Sequence, residues 1–162
     1  MKPAAPGTLR RNLLCAGGLL LAGLSAPFPS LQAAFHAALV VALIPVPGAS
    51  LPAALWAVAT GWVVETTLRL PPHLGGTAWA DLTVVLLAGW TSSRWPLDGF
   101  KDWMGRLAGF ALLQVLLVHA MVRMAAGPHP WGWGWLWAFL TLPLWGWGAW
   151  RLLHPGASRA WR

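Results

Sequence analysis

Tyrosine is absent from this chain, cysteine occurs once, and only four of 162 residues are acidic. Each shortage excludes something. A single thiol, Cys15, can form no intramolecular disulfide and no multi-thiolate metal centre. Charged residues make up 9% of the chain, against about 25% in soluble domains. Eleven basic and four acidic side chains could not cover the surface of a water-soluble domain of this length. Common chemical motifs are missing too: there is no H-E-x-x-H helix, no phosphate-cradling glycine loop and no two-cysteine metal pair. Ser92 and Ser93 have no nearby His and acid that would suggest a catalytic triad. The sequence thus predicts no enzyme, no cofactor and no metal site.

What is present is hydrophobic: 57% of residues, with fourteen Trp beside five Phe. Helical spans need roughly 20 apolar residues each. The apolar runs fall at 13–26, 31–46, 51–68, 77–90, 107–124 and 133–153. They predict an all-α, polytopic integral membrane protein, a compact bundle of about six transmembrane helices. A basic segment, 1–12, precedes this single domain (13–153), and a short tail, 154–162, follows it. The breaks are Pro27-Phe28-Pro29, Pro45-Val46-Pro47-Gly48, Pro71-Pro72-His73-Leu74-Gly75-Gly76 and Gly127-Pro128-His129-Pro130, because proline lacks an N–H and extends its predecessor. The run 13–26 is short and resembles a signal-peptide core. No convincing small-x-small cleavage site precedes Pro27, so a retained first helix is expected.

The segment 91–106 holds the densest charge. Leu97, Phe100, Trp103, Met104 and Leu107 recur there at three- and four-residue spacing, which predicts a short helix lying in the membrane interface. A plain loop is the alternative. The alternating stretch 131–137, WGWGWLW, reads as an interfacial Trp cluster entering a helix, since a lone strand cannot cross a bilayer with its backbone unpaired.

Charge sets the orientation. With six spans and the N-terminus inside, Lys2, Arg10, Arg11, Arg94, Lys101, Arg106, Arg151, Arg159 and Arg162 are cytoplasmic, and only Arg69 and Arg123 lie outside. Nine against two is a clear positive-inside bias. The net charge of +7 therefore points to membrane topology rather than to nucleic acid. Both termini are expected inside.

A carboxylate within a span is costly and draws attention by default. Glu65 and Asp81 both fall in the outward half of their spans, and Arg69 follows Glu65 by four residues, on one helix face. Two readings stand open: a satisfied polar cluster joining two helices, or a partner-binding or ion-linked role. His36 and His119, the latter near Gln114, read as interhelical hydrogen-bonding groups. Ala57 and Gly61, and Gly105 and Gly109, are small pairs at four-residue spacing that would let helices approach closely.

Gly61-Trp62-Val63-Val64-Glu65 resembles the most recognisable stretch of the MreD family of bacterial rod-shape-determining membrane proteins. There a span ends in Gly, three apolar residues and an acid, followed by a Gly-containing turn and another apolar span. Leu74-Gly75-Gly76 supplies such a turn, and Leu142-Pro143-Leu144-Trp145, running to Arg151, resembles the last helix of some members. The chain departs from the pattern in carrying Glu65 where Asp is usual, and in a longer Pro71-Pro72 loop. The resemblance implies a non-enzymatic inner-membrane subunit of the cell-elongation complex. It would contact a bitopic MreC-like partner and sit near MreB and the peptidoglycan polymerase. Gly61, Glu65, Arg69, Gly75, Gly76 and Asp81 become the proposed interhelical or partner contacts. The competing reading is a substrate-capture subunit of an energy-coupling-factor transporter, also a six-helix membrane protein without catalytic motifs. Its site would be sought at Glu65, Arg69, His73 and Asp81. An intramembrane enzyme is a third class.

Overall fold

The computed structural model describes residues 6–24, 51–68, 75–95, 99–127 and 134–154, and these residues are all-α. They form α1 (Pro6–Leu24), α2 (Leu51–Leu68), α3 (Gly76–Arg94), α4 (Phe100–Ala126) and α5 (Gly134–Leu153). The expected span 31–46, with His36, lies outside the described residues, as do Arg69, His73 and Leu97. Five helices are therefore described where six spans were expected. Phe100–Met124 is the one stretch among the described residues long and apolar enough to cross a membrane, with mean hydropathy 1.8. The other helices interrupt their apolar runs with Trp, Gly or charged residues.

Helix ends follow local chemistry more than hydropathy. Proline opens α1 at Pro6 and occupies the second position of α2 as Pro52, where its missing N–H would have had no partner in any case. α1 thus begins well before the apolar run at Leu13 and takes in Arg10 and Arg11. The expected interfacial helix at 91–106 is corrected. α3 continues to Arg94, the chain bends at Trp95 and at Gly99, and α4 then runs unbroken from Phe100. Trp103 and Leu107, read as an interfacial face, are buried core of that long helix. The spacing identified a helical face correctly, but α5 rather than a headgroup layer covers it: Trp103 lies 5.5 Å, ring to ring, from Trp150. α5 continues through Pro143.

Each described helix packs on its chain neighbour, and α5 closes back on α1, giving a ring. α1 meets α2 through Trp56 Nε1, which donates to Asn12 Oδ1 at 3.0 Å. Cys15, fully buried, packs with Ala53, Ala57, Val64 and Val85. A second core gathers Val84, Ala88, Trp103, Leu107, Ala111, Leu142 and Ala149.

Side-chain size is sorted inside out. Among the described residues the buried apolar ones are mostly small: seven are alanine, and Leu107 and Leu142 are the only leucines. Large apolar side chains point outward on every helix, among them Leu13, Leu20, Leu55, Trp62, Trp79, Leu86, Leu112, Leu116, Leu140 and Leu144. Exposed hydroxyls turn back onto their own helices. Thr66 donates to the Trp62 carbonyl at 2.8 Å, Thr83 to Trp79 at 2.8 Å and Thr141 to Trp137 at 2.8 Å. The outer faces thus offer few unmet polar groups.

Candidate functional site

The α2–α3 hairpin is built on a close approach. A Cβ at Gly61 would stand 2.4 Å from the Ala78 Cα and 2.6 Å from its N, distances no side chain can occupy. Only glycine lets these two backbones meet. Ala53, Ala57, Gly61 and Glu65 recur every fourth residue and are all buried, so α2 presents one narrow seam to its neighbours. The other small pair behaves differently. Gly105 and Gly109 are exposed and have nothing within 4 Å of where a Cβ would lie, which removes the close helix approach expected there.

The seam ends in a carboxylate. Gly75, in the left-handed conformation at φ 91°, precedes α3 and has no side chain with which to cap it. Glu65 acts in its place: the Gly75 N–H donates to Glu65 Oε2 at 2.6 Å, so an acid on α2 caps the start of α3. A negative group also suits the positive end of the helix dipole. One turn into α3, the buried Asp81 turns the other way and accepts from Gln114 Nε2 of α4 at 3.1 Å. α3 is thereby tied to α2 by one acid and to α4 by another.

This centre is dry. Glu65 is 4% exposed, Asp81 2% and Thr77 1%. Glu65 Oε1, Asp81 Oδ2 and Thr77 Oγ1 are buried without a hydrogen-bond partner. Carboxylate oxygens accept and the Thr77 hydroxyl can also donate, so the centre holds hydrogen-bonding capacity that is not used. Buried, partly satisfied polar groups are energetically costly and concentrate where helix pairing must be specific. No group of three or more His, Cys, Asp and Glu suited to a metal ion occurs among the described residues.

Of the residues singled out from the sequence, Gly61, Glu65, Gly75 and Asp81 come together here, and Gly76 opens α3 half-buried beside them. Arg69, and with it the Glu65–Arg69 pair, lies outside the described residues. Burial places the acids between helices, so their side chains do not form an outward surface. Sequence reasoning missed Gln114 as the partner of Asp81, and missed Thr77 and Ala78. An amide in an apolar run was the available signal; an antiparallel register between the helices holding Asp81 and Gln114 would have paired them.

Comparison with family models, with curated proteins and with solved structures finds no match to this chain.

Proposed function

We propose that this chain is a multi-pass, non-enzymatic subunit of the bacterial inner membrane that acts in the cell-elongation complex, as its resemblance to the MreD family implies. In this reading six helices cross the bilayer with both termini inside, and Glu65 and Asp81 lie toward the outer face. The observation that carries the membrane part is the inverted sorting of side chains, with alanine inside and leucine outside. Burying a leucine from water is worth roughly 1.5–3 kcal/mol, so an aqueous bundle would forfeit that at site after site. In lipid there is no such penalty, and helices associate through small residues and buried polar contacts. Gly61–Ala78 and Asp81–Gln114 are contacts of both kinds.

The elongation part is supported by the Gly61-to-Glu65 stretch, whose acid accepts from the Gly75 N–H at the start of the next helix. Because those residues are buried, the partner surface is assigned to the exposed face of the same hairpin, Trp62, Val63 and Trp79. Depleting the protein from a rod-shaped host should round or widen the cells, and normal morphology would refute the reading. Detergent pull-down should recover a bitopic periplasmic coiled-coil protein, and Trp79→Ala should reduce that recovery at unchanged membrane abundance. Recovery of paired ATPases instead would favour the transporter reading.

A further inference from the structure

Six of the seven described basic residues share one end of the bundle. The order of the helices brings them there. α3 ends at Arg94 and α4 begins six residues later, with Lys101 in its first turn and Arg106 in its second. α5 returns to the same end: Phe100 and Trp103 on α4 lie 5.7 and 5.5 Å, ring to ring, from Trp150, beside Arg151. Asn12 on Trp56, in the second turn of α2, brings Arg10 and Arg11 to the same half. Asp102 is the one acid described there, and Arg123 the one basic residue described at the opposite end.

Two of these arginines are held in the same way. The Arg94 guanidinium lies 4.8 Å from the centroid of the Trp90 ring, and that of Arg151 lies 4.8 Å from the centroid of Trp147. Both pairs are W-x-x-x-R on the last turns of a helix, so the four-residue spacing stacks cation on indole. A stacked guanidinium keeps its N–H edges available for a further acceptor, and its planar fork fits phosphate oxygens. The rings under them are half exposed, Trp90 at 47% and Trp147 at 51%. Indoles of this kind settle at the headgroup level of a bilayer. Trp95, edge-on to Trp90 at 5.9 Å, and Trp150, stacked on His154 at 3.9 Å, extend the same aromatic layer.

We infer that this end of the bundle is a binding surface for anionic phospholipid headgroups, with Arg94 and Arg151, each stacked on its Trp, as the phosphate-holding groups. The occupant follows from charge complementarity. A half-exposed aromatic layer carrying Arg10, Arg94, Lys101 and Arg151 at its rim matches a lipid with an acyl body and a negative head. The inference rests on the membrane reading above but not on the cell-elongation reading. It adds that anionic lipid is retained locally, beyond what orientation alone requires.

The test uses the full chain reconstituted into phosphatidylcholine vesicles. These carry equal fractions of phosphatidylglycerol or of phosphatidylcholine brominated on its acyl chains near the headgroup, and tryptophan quenching is followed. Apparent association should be about fivefold stronger for the anionic lipid at low salt. It should fall toward parity as salt is raised and in R94Q/R151Q. Equal quenching by the two lipids in the native chain overturns the inference without any variant. So does a preference that R94Q/R151Q, shown by circular dichroism to keep its helicity, leaves intact. Failure of the chain to float with vesicles of either composition overturns the membrane reading and this inference together. Incorporation without lipid preference overturns the inference alone.

Discussion

The two ends of the bundle are assembled by opposite means. At the hairpin end, α2 and α3 meet backbone to backbone at Gly61 and Ala78, and two buried acids each accept a single hydrogen bond, from Gly75 and from Gln114. At the other end, large rings fill the space between α4 and α5, and Arg10, Arg94, Lys101 and Arg151 lie exposed on the rim. The first arrangement is intolerant: a Cβ added at Gly61 has the Ala78 backbone in its way, and removing either acid leaves a buried donor without its acceptor. The second is forgiving, because an exposed cation loses little and an open helix face accepts a methyl group. Specific pairing at one end and tolerance at the other is what two different jobs would require, one to fix the helices and one to meet a surface.

The sharpest way to break this contrast is the same substitution at both ends. Gly61→Ala puts a Cβ against the Ala78 backbone and should cost about 3 kcal/mol, read as thermal unfolding in detergent and as a large drop in membrane abundance. Next in size is Glu65→Ala, which strands the buried Gly75 N–H and should cost about 2 kcal/mol. Abundance and partner recovery should fall in parallel. Loss of partner recovery at full abundance would show that Glu65 serves a partner directly, against the burial argument.

A smaller effect tests the second tie. Asp81→Ala, Gln114→Ala and the double variant form a cycle whose coupling should be about 1 kcal/mol, near the measured span for interhelical contacts in membranes. Zero coupling would mean that the 3.1 Å contact contributes nothing to pairing α3 with α4. Smallest, and opposite in sign, is Gly105→Ala. Nothing stands within 4 Å of that position, so the better helix former should stabilise by about 0.5–1 kcal/mol. A destabilisation there would mean that the basic end is packed as tightly as the hairpin end.

Helix positions were largely legible, and the reason is local. The expected run 51–68 coincides with α2, and 133–153 differs from α5 by one residue, because proline and glycine interrupt the chain at those points and hydrophobicity fills the rest. Where the boundary chemistry is polar, hydropathy stopped too soon. The first turns of α4, Phe100 to Arg106, carry Lys101, Asp102 and Arg106 and yet belong to the same helix as Phe110 and Leu117. The candidate site was legible in part. Glu65 and Asp81 stood out as acids in apolar runs, whereas Gln114 and Thr77 did not, since neither carries a charge.

By itself the sequence determined most of the residues that are helical among those described, the small-residue face that runs from Ala53 to Gly61, and where the cations fall along the chain. Those follow from dihedral preference, from the 3.6-residue period and from the position of charge along the chain, all of which are local. Only the tertiary structure decided that the Glu65 carboxylate on α2 caps α3 and that Asp81 reaches α4 rather than α2. It also decided that one of two small pairs, Gly61 but not Gly105, is a point of contact. Periodicity gives each helix a face without saying which neighbour that face will meet, and the choice is made by packing among helices far apart in sequence.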